Sequence, residues 1–155
     1  MSNVRAIPEG LHSVTPALTL SDCAAALEFY KKAFGALEIQ RAGDPSGKKV
    51  WHAQIRIGDS AIFANDEFPE MASGARPMNL WIYGDDVDGR FKRAVDAGAK
   101  PVMPPADMFW GDRMAKVIDP WGNDWTLAQH VKDLTPAEMK AAQDAAIAEL
   151  KKEKK

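Results

Sequence analysis

The sequence predicts an α+β domain assembled from two copies of one module, and two observations carry that prediction. An Asp, an apolar helix and a Gly-Ala pair run from Asp22 to Gly35-Ala36 and again from Asp85 to Gly98-Ala99, with thirteen residues from Asp to Gly both times. Short strand-like runs flank each copy, so each half reads as a strand, a helix and then several strands. A unit of roughly fifty residues buries too little apolar surface to stand alone, so the two modules must share one core. The seam between them is the expected place for a ligand cavity.

The elements follow in order. Val14 to Leu20 reads as a strand, and Ser21-Asp22 supplies a helix cap. The helix runs to about Phe34 with Ala26, Leu27, Tyr30, Ala33 and Phe34 on one stripe, and Gly35 stops it. Ala36 to Ala42 is a second strand, followed by the turn cluster from Gly43 to Gly47. Lys49 to Ile57 alternates, with Val50, His52, Gln54 and Arg56 opposite Trp51, Ala53, Ile55 and Ile57, and Gly58-Asp59 turns it into Ser60 to Asn65. The second copy comprises Met78 to Tyr83, a helix from Asp85 to Gly98, a short strand from Lys100 to Met103, a loop opened by Pro104-Pro105, and a hairpin of Arg113 to Ile118 with Asp124 to His130. Thr135-Pro136-Ala137-Glu138 then has the form of a capping box with proline at the first helical position. The helix it starts carries a modest apolar stripe of Met139, Ala142, Ala146, Ile147 and Leu150, suited to docking on this subunit or on a partner.

Composition bounds the rest. At 155 residues, 46% hydrophobic and 27% charged, the chain has the makings of one domain. Module one spans about 12–66, a linker 67–77, module two about 78–131 and the C-terminal helix about 135–152. Net charge is −2 with both signs interspersed, which gives a nucleic-acid partner no electrostatic footprint. There is no long apolar stretch for a membrane and no unbroken hydrophobic run near the N-terminus, so a cytoplasmic location is expected. Cys23 is the only cysteine, which excludes an internal disulfide or a cysteine-based zinc site, and its place in the first helix suggests a small packed residue.

Several phrases, taken as an ordered set, resemble a known family. They are Thr15-Pro16-Ala17-Leu18, Phe29-Tyr30-Lys31-Lys32-Ala33-Phe34-Gly35-Ala36, His52-Ala53 with Ile57-Gly58-Asp59-Ser60, Ala97-Gly98-Ala99, Trp110-Gly111-Asp112-Arg113 and Asp119-Pro120-Trp121-Gly122. The resemblance is to the vicinal oxygen chelate superfamily, the glyoxalase/bleomycin resistance/dioxygenase proteins, and within it to the PhnB-like branch. It implies paired βαβββ modules whose strands form a curved mixed sheet around a cavity, and commonly a homodimer.

In metal-using members, the resemblance implies, ligands come from the first and last strand of each module and are typically His or Glu. Aligned on this chain, those places fall at Thr15, Ile62, Asn79 and Thr126. Isoleucine has no lone pair, and neutral Thr and Asn oxygens hold a transition metal poorly without imidazole or carboxylate help. The expectation is therefore no metal and no cofactor, with the cavity used as a binding site for a small, partly aromatic molecule, as in bleomycin-resistance-like members. The alternative is a metal-dependent lyase or isomerase with a non-standard site built from His52, His130 and acidic residues.

The candidate site residues are Thr15, His52, Asn79, Trp81, Tyr83, Trp110, Arg113 and Thr126. Five tryptophans are many for this length, and Trp81 and Tyr83 share a face with Asn79, giving either an aromatic ligand surface or simple core filling. Arg113 offers a rigid fork to a carboxylate or phosphate, or an ion pair with Asp112 or another carboxylate that pins the loop. His52 is a candidate acid or base, or a hydrogen-bonded structural histidine, and with Arg113 it completes the catalytic candidates. No nucleophile elbow and no phosphate-cradling glycine loop is present.

Overall fold

The computed structural model describes residues 3–155. Module one contains β1 (Ala17–Leu20), α1 (Cys23–Phe34), β2 (Leu37–Gly43), β3 (Val50–Ile57) and β4 (Ser60–Asp66). Module two repeats the order with β5 (Asn79–Tyr83), α2 (Val87–Ala97), β6 (Lys100–Asp107), β7 (Asp112–Ile118) and β8 (Asp124–His130), and α3 (Pro136–Glu153) follows. The strands form two four-stranded mixed sheets, ordered β1-β4-β3-β2 and β5-β8-β7-β6, with the first pair parallel in each. Both modules therefore carry the βαβββ pattern. Within one chain the two sheets are separate, and β1 and β5 each lie at an edge.

Helices α1 and α2 pack against each other, and each sheet lays one face on that pair. One hydrophobic cluster spans both modules: Leu18, Leu20, Leu27, Tyr30 and Ile55 from the first, Val87, Val117, Trp125 and Leu127 from the second. The alternation that marks the strands assigns the faces, since odd residues of β8 (Trp125, Leu127) lie in this core and even ones point away. Across the seam, Tyr30 of α1 donates to the buried Asp119 at 2.6 Å, and Trp125 Nε1 donates to the same carboxylate at 2.9 Å. Trp121 and Asn123 bring their backbone N–H groups to its other oxygen, each at 2.9 Å. The Asp119-Pro120-Trp121-Gly122 turn is thus a polar rivet joining the modules. Burial of Tyr30, and then the neighbouring Asp119 charge, push its phenol well above the usual tyrosine range.

Four sequence expectations are adjusted. The first strand begins at Ala17 rather than Val14, which is 84% exposed, and Pro16 just before it has no N–H to give a ladder. The strand expected to end at Met103 continues to Asp107 through Pro104 and Pro105. The sheet order places it at the edge, and its pairing shifts register between Met103 and Ala106, so the prolines forfeit no ladder bond. The second helix is capped by Asp86, not Asp85, with φ at +51° and its carboxylate accepting from Gly89 N–H at 3.1 Å. A Cβ at 89 would displace that carboxylate from its capping position. The linker holds a single 3-10 turn at Pro69–Met71 and a bridge between Phe68 and Ser73. The cap of α3 has both arms of the expected box, Thr135 with Glu138, yet none of the helix residues is buried. No helix among the described residues is long and apolar enough to cross a membrane.

Candidate functional site

A cavity of about 560 Å³ opens at the seam between the modules, bounded by Pro16, Ile57 to Ser60 and Ile62 on one side and Leu80 to Tyr83 with Trp125 on the other. Leu80, Ile82 and Trp125 belong to or pack against the core, whereas Trp81 and Tyr83 are 46% and 58% exposed on the opposite face of β5. The cavity therefore lies along the free edge of β5. Trp81 and Tyr83 stand side by side, with centroids 6.1 Å apart at 31°.

The outward face of sheet two continues from these rings. Trp81 is paired with Thr126, which is paired in turn with Lys116; Asn79 is level with Asp124, and Tyr83 with Ala128 and Met114. Thr126 Oγ1 and Asp124 Oδ1 are buried and without a hydrogen-bond partner. Native interiors rarely leave such atoms orphaned, and each is a reason to look for a missing partner. Lys116 Nζ lies 3.6 Å from the other Asp124 oxygen, so the pair is close to neutral as a unit.

At the far end of this face Asp112, 3% exposed, is the acceptor of three groups: Tyr83 Oη at 2.7 Å, Trp110 Nε1 at 3.0 Å and His130 Nδ1 at 3.0 Å. His130 Nε2 is 2.8 Å from Asp133. Burial works against the Asp112 charge, but the hydrogen bonds from His130, Tyr83 and Trp110 outweigh it and hold the carboxyl below its usual range. Hydrogen bonds to Asp133 and then Asp112 raise the His130 imidazole above its ordinary value. With a carboxylate at each nitrogen, the ring in its protonated form donates to both. The phenol of Tyr83 is raised chiefly by its bond to Asp112.

Of the residues expected from sequence, Asn79, Trp81, Tyr83 and Thr126 share one sheet face, and Trp110 reaches it through Asp112. Thr15 precedes β1 and is half-buried. His52 stands on the outward face of sheet one, its ring edge on Phe63 at 4.8 Å, away from this group. Arg113 points to the helix side, where it grips Asp88 at 2.7 and 2.8 Å and Asp107 at 3.1 Å; the ion pair anticipated as one option exists, with these partners rather than Asp112. Those bonds to Asp88 and Asp107 raise its guanidinium further above the usual range. Within one chain His52 and Arg113 thus sit on different sheets. Trp125 is wholly buried, Trp121 packs edge-on against Phe29 at 5.7 Å, and Trp51 is 47% exposed beside Phe68.

Sequence reasoning missed Asp124, Lys116 and the three-donor role of Asp112. Asp124 was within reach, because it alternates with Thr126 along one strand. Lys116 and Asp112 needed the β7–β8 register. The four family ligand places fare as their side chains suggest. Ile62 is 5% exposed in the core, and its outward neighbours on β4, Ala61 and Phe63, have no side-chain atom that could coordinate. Thr and Asn oxygens alone do not fit a divalent ion there, and among the described residues no three His, Cys, Asp or Glu side chains converge to hold one.

Paired βαβββ modules enclosing a seam cavity define a class, and comparison with known proteins places the chain within it. A family model for the Glyoxalase/Bleomycin resistance protein/Dioxygenase superfamily matches residues 10–127, and the chain belongs to that superfamily. It is 37% identical over 139 residues to the uncharacterized protein Mb0911c of Mycobacterium bovis, covering 84% of this chain and 91% of the relative. Uncharacterized protein Rv0887c of Mycobacterium tuberculosis matches at 37% as well, over 84% of this chain and 81% of its own length. Among solved structures, TioX from Micromonospora sp. ML1 superposes with a TM-score of 0.63 at 24% identity, over 80% of this chain and all (100%) of that one. Glyoxalase I from Zea mays gives a TM-score of 0.59 at 19% identity, over 75% of this chain and 43% of that one. These likenesses show the fold.

Proposed function

We propose that this protein binds a small, partly aromatic molecule at the seam, without the metal that its catalytic relatives use, and that it does so as a homodimer. The observation that carries the reading is the cavity along the free edge of β5, rimmed by the adjacent rings of Trp81 and Tyr83. Its volume falls in the range of small-molecule sites, and its lining is mostly apolar with few polar groups, the composition such sites need. Beyond the rim, the unpartnered oxygens of Thr126 and Asp124 would orient a ligand that brings a hydrogen-bond donor, while Trp81 stacks on its ring.

Dimerisation is supported by what a single chain leaves open. Two sheets each end in an uncovered edge, β1 and β5, and Trp81, Tyr83, Phe109, Leu37 and Ile39 are all at least 40% exposed. A second copy laid on these faces would cover them and close the cavity.

The test is to dialyse the protein against chelator and titrate it with a panel of planar aromatic compounds, with and without amino substituents, following tryptophan emission. Saturable quenching that is lost in Trp81→Ala supports the reading. Silence across the panel, together with near-stoichiometric zinc, nickel or manganese in protein purified without chelator, would replace it with the metal-dependent lyase or isomerase. Sedimentation equilibrium decides the dimer.

A further inference from the structure

On the helix side of β5, a second cavity of about 150 Å³ is lined by Ala33, Phe34, Ile82, Arg90, Arg93 and Leu127. Its two arginines lie one helical turn apart on α2. Neither meets a carboxylate: Arg90 donates to the main-chain oxygens of Ile82 at 2.9 Å and of Asp85 and Ala128 at 3.3 Å, and Arg93 to those of Lys32 at 2.6 Å and Lys31 at 3.2 Å. The acids nearby are engaged or distant. Glu28 and Glu38 are held by Lys31 and Arg41, and Asp85 and Asp86 act on Arg90 only through space.

The contrast with Arg113 is instructive, since its whole fork is taken by Asp88 and Asp107. In Arg90 and Arg93 the main chain fixes the guanidinium planes while Arg93 Nη1 and Arg90 Nε make no hydrogen bond among the described residues. Gly84 permits part of this closeness, since a Cβ there would lie 3.2 Å from Arg90 Nη1, tighter than an ordinary contact. The result is two pre-positioned positive forks, short of a counter-charge, over a floor of Phe34, Ile82 and Leu127. Apolar walls strengthen the pull of such charges on an anion.

We infer that this cavity takes a short-chain organic carboxylate, its oxygens on the two guanidiniums and its hydrocarbon end on Phe34, Ile82 and Leu127. At about 30 Å³ for each water displaced, the space suits an acid of roughly five or six non-hydrogen atoms. Ile82 lines this cavity and the seam cavity alike, so the two are neighbours through one side chain. The inference does not depend on what the seam binds.

The probes are sodium butanoate and inorganic phosphate, titrated into the full chain at constant ionic strength and followed by calorimetry and by methyl resonances of Ile82 and Leu127. Butanoate should bind at one equivalent and shift both methyls, at least tenfold more tightly than phosphate, which has no apolar end. Arg93→Gln should weaken it at least tenfold, and Arg56→Gln, on the outward face of sheet one, should leave it unchanged. Should Arg93→Gln fail to fold, the wild-type methyl shifts and Arg90→Lys, which keeps the charge but loses the fork, carry the decision. Absence of saturable binding, methyl shifts elsewhere, or phosphate binding as tightly as butanoate each overturns the assignment.

Discussion

The two sheets share topology and strand order, yet their outward faces have diverged. Sheet one presents His52, Gln54 and Arg56 beside Ala61 and Phe63, and its central hairpin closes through Gly58-Asp59 on the surface. Sheet two presents Trp81, Tyr83, Thr126, Asp124, Lys116 and the Asp112 cluster, and its hairpin closes through the buried Asp119. Equivalent backbones thus carry different duties. Module one contributes a cavity wall and Tyr30 of the rivet, whereas module two carries Asp119 and the Asp112 cluster. A repeat leaves room for such division, because the shared core satisfies both copies while the outward positions are free to differ.

The sharpest way to break this comparison is at the turns. Asp119→Ala removes a carboxylate that satisfies Tyr30, Trp125 and two backbone groups, and it should cost at least ~3 kcal/mol, since each orphaned buried group carries a penalty of ~1–3 kcal/mol. The matching Asp59→Ala in module one should stay within about 0.5 kcal/mol, as expected of surface positions. Urea unfolding measures both, and equal losses would erase the asymmetry. Tyr30→Phe should cost about 1–2 kcal/mol by the same assay, because it cuts one bond of the rivet and leaves the ring packing intact.

Ligand affinity gives the next contrast. Trp81→Ala should weaken binding of an aromatic ligand by about 2 kcal/mol, roughly thirtyfold, the scale of one buried aromatic contact with its stacking. Phe63→Ala, on the outward face of sheet one, should change it less than threefold. Fluorescence titration reads both.

The smallest effect concerns His130. Its folded-state value is raised by Asp133 and Asp112, so its contribution to stability is fully present below the ordinary histidine value near 6.5 and fades as pH rises through the higher folded value. Wild type should therefore lose a little stability between neutral and mildly alkaline pH, and His130→Gln should flatten that slope. A steeper slope in the variant would contradict the imidazolium assignment. Cys23 takes no part in this window, because burial first, and the Asp66 charge second, push its thiol up to about 12.

Much of this was legible from residues. The repeat gave the modules, and alternation gave the faces of β5 and β8 and of β3 from His52 onward; Val50, expected beside His52, is buried and Trp51, expected beside Ala53, is exposed, because the β2–β3 register shifts there. Caps at Asp22 and Thr135 and the stop at Gly35 lie where the sequence puts them, because those signals are local and each involves atoms within a turn of one another. Where two prolines were taken to end β6, an edge position absorbed them. Asp86 rather than Asp85 caps the second helix, which starts one residue later after its strand than the first does, Tyr83 to Val87 against Leu20 to Cys23.

What the sequence by itself determined is the pattern of short-range preferences: which segments are strands or helices, where they stop, and which positions along each are apolar. Only the tertiary structure decided the partners. Asp119 under Tyr30, Asp112 beneath three donors, Arg113 locked to Asp88, and Arg90 and Arg93 left without an acid all join segments 25 to 89 residues apart or depend on strand register. Charge and hydrogen-bonding capacity can be counted along a chain, but their pairing is fixed by distances of about 3 Å, and those exist only once the sheets have closed on the helices.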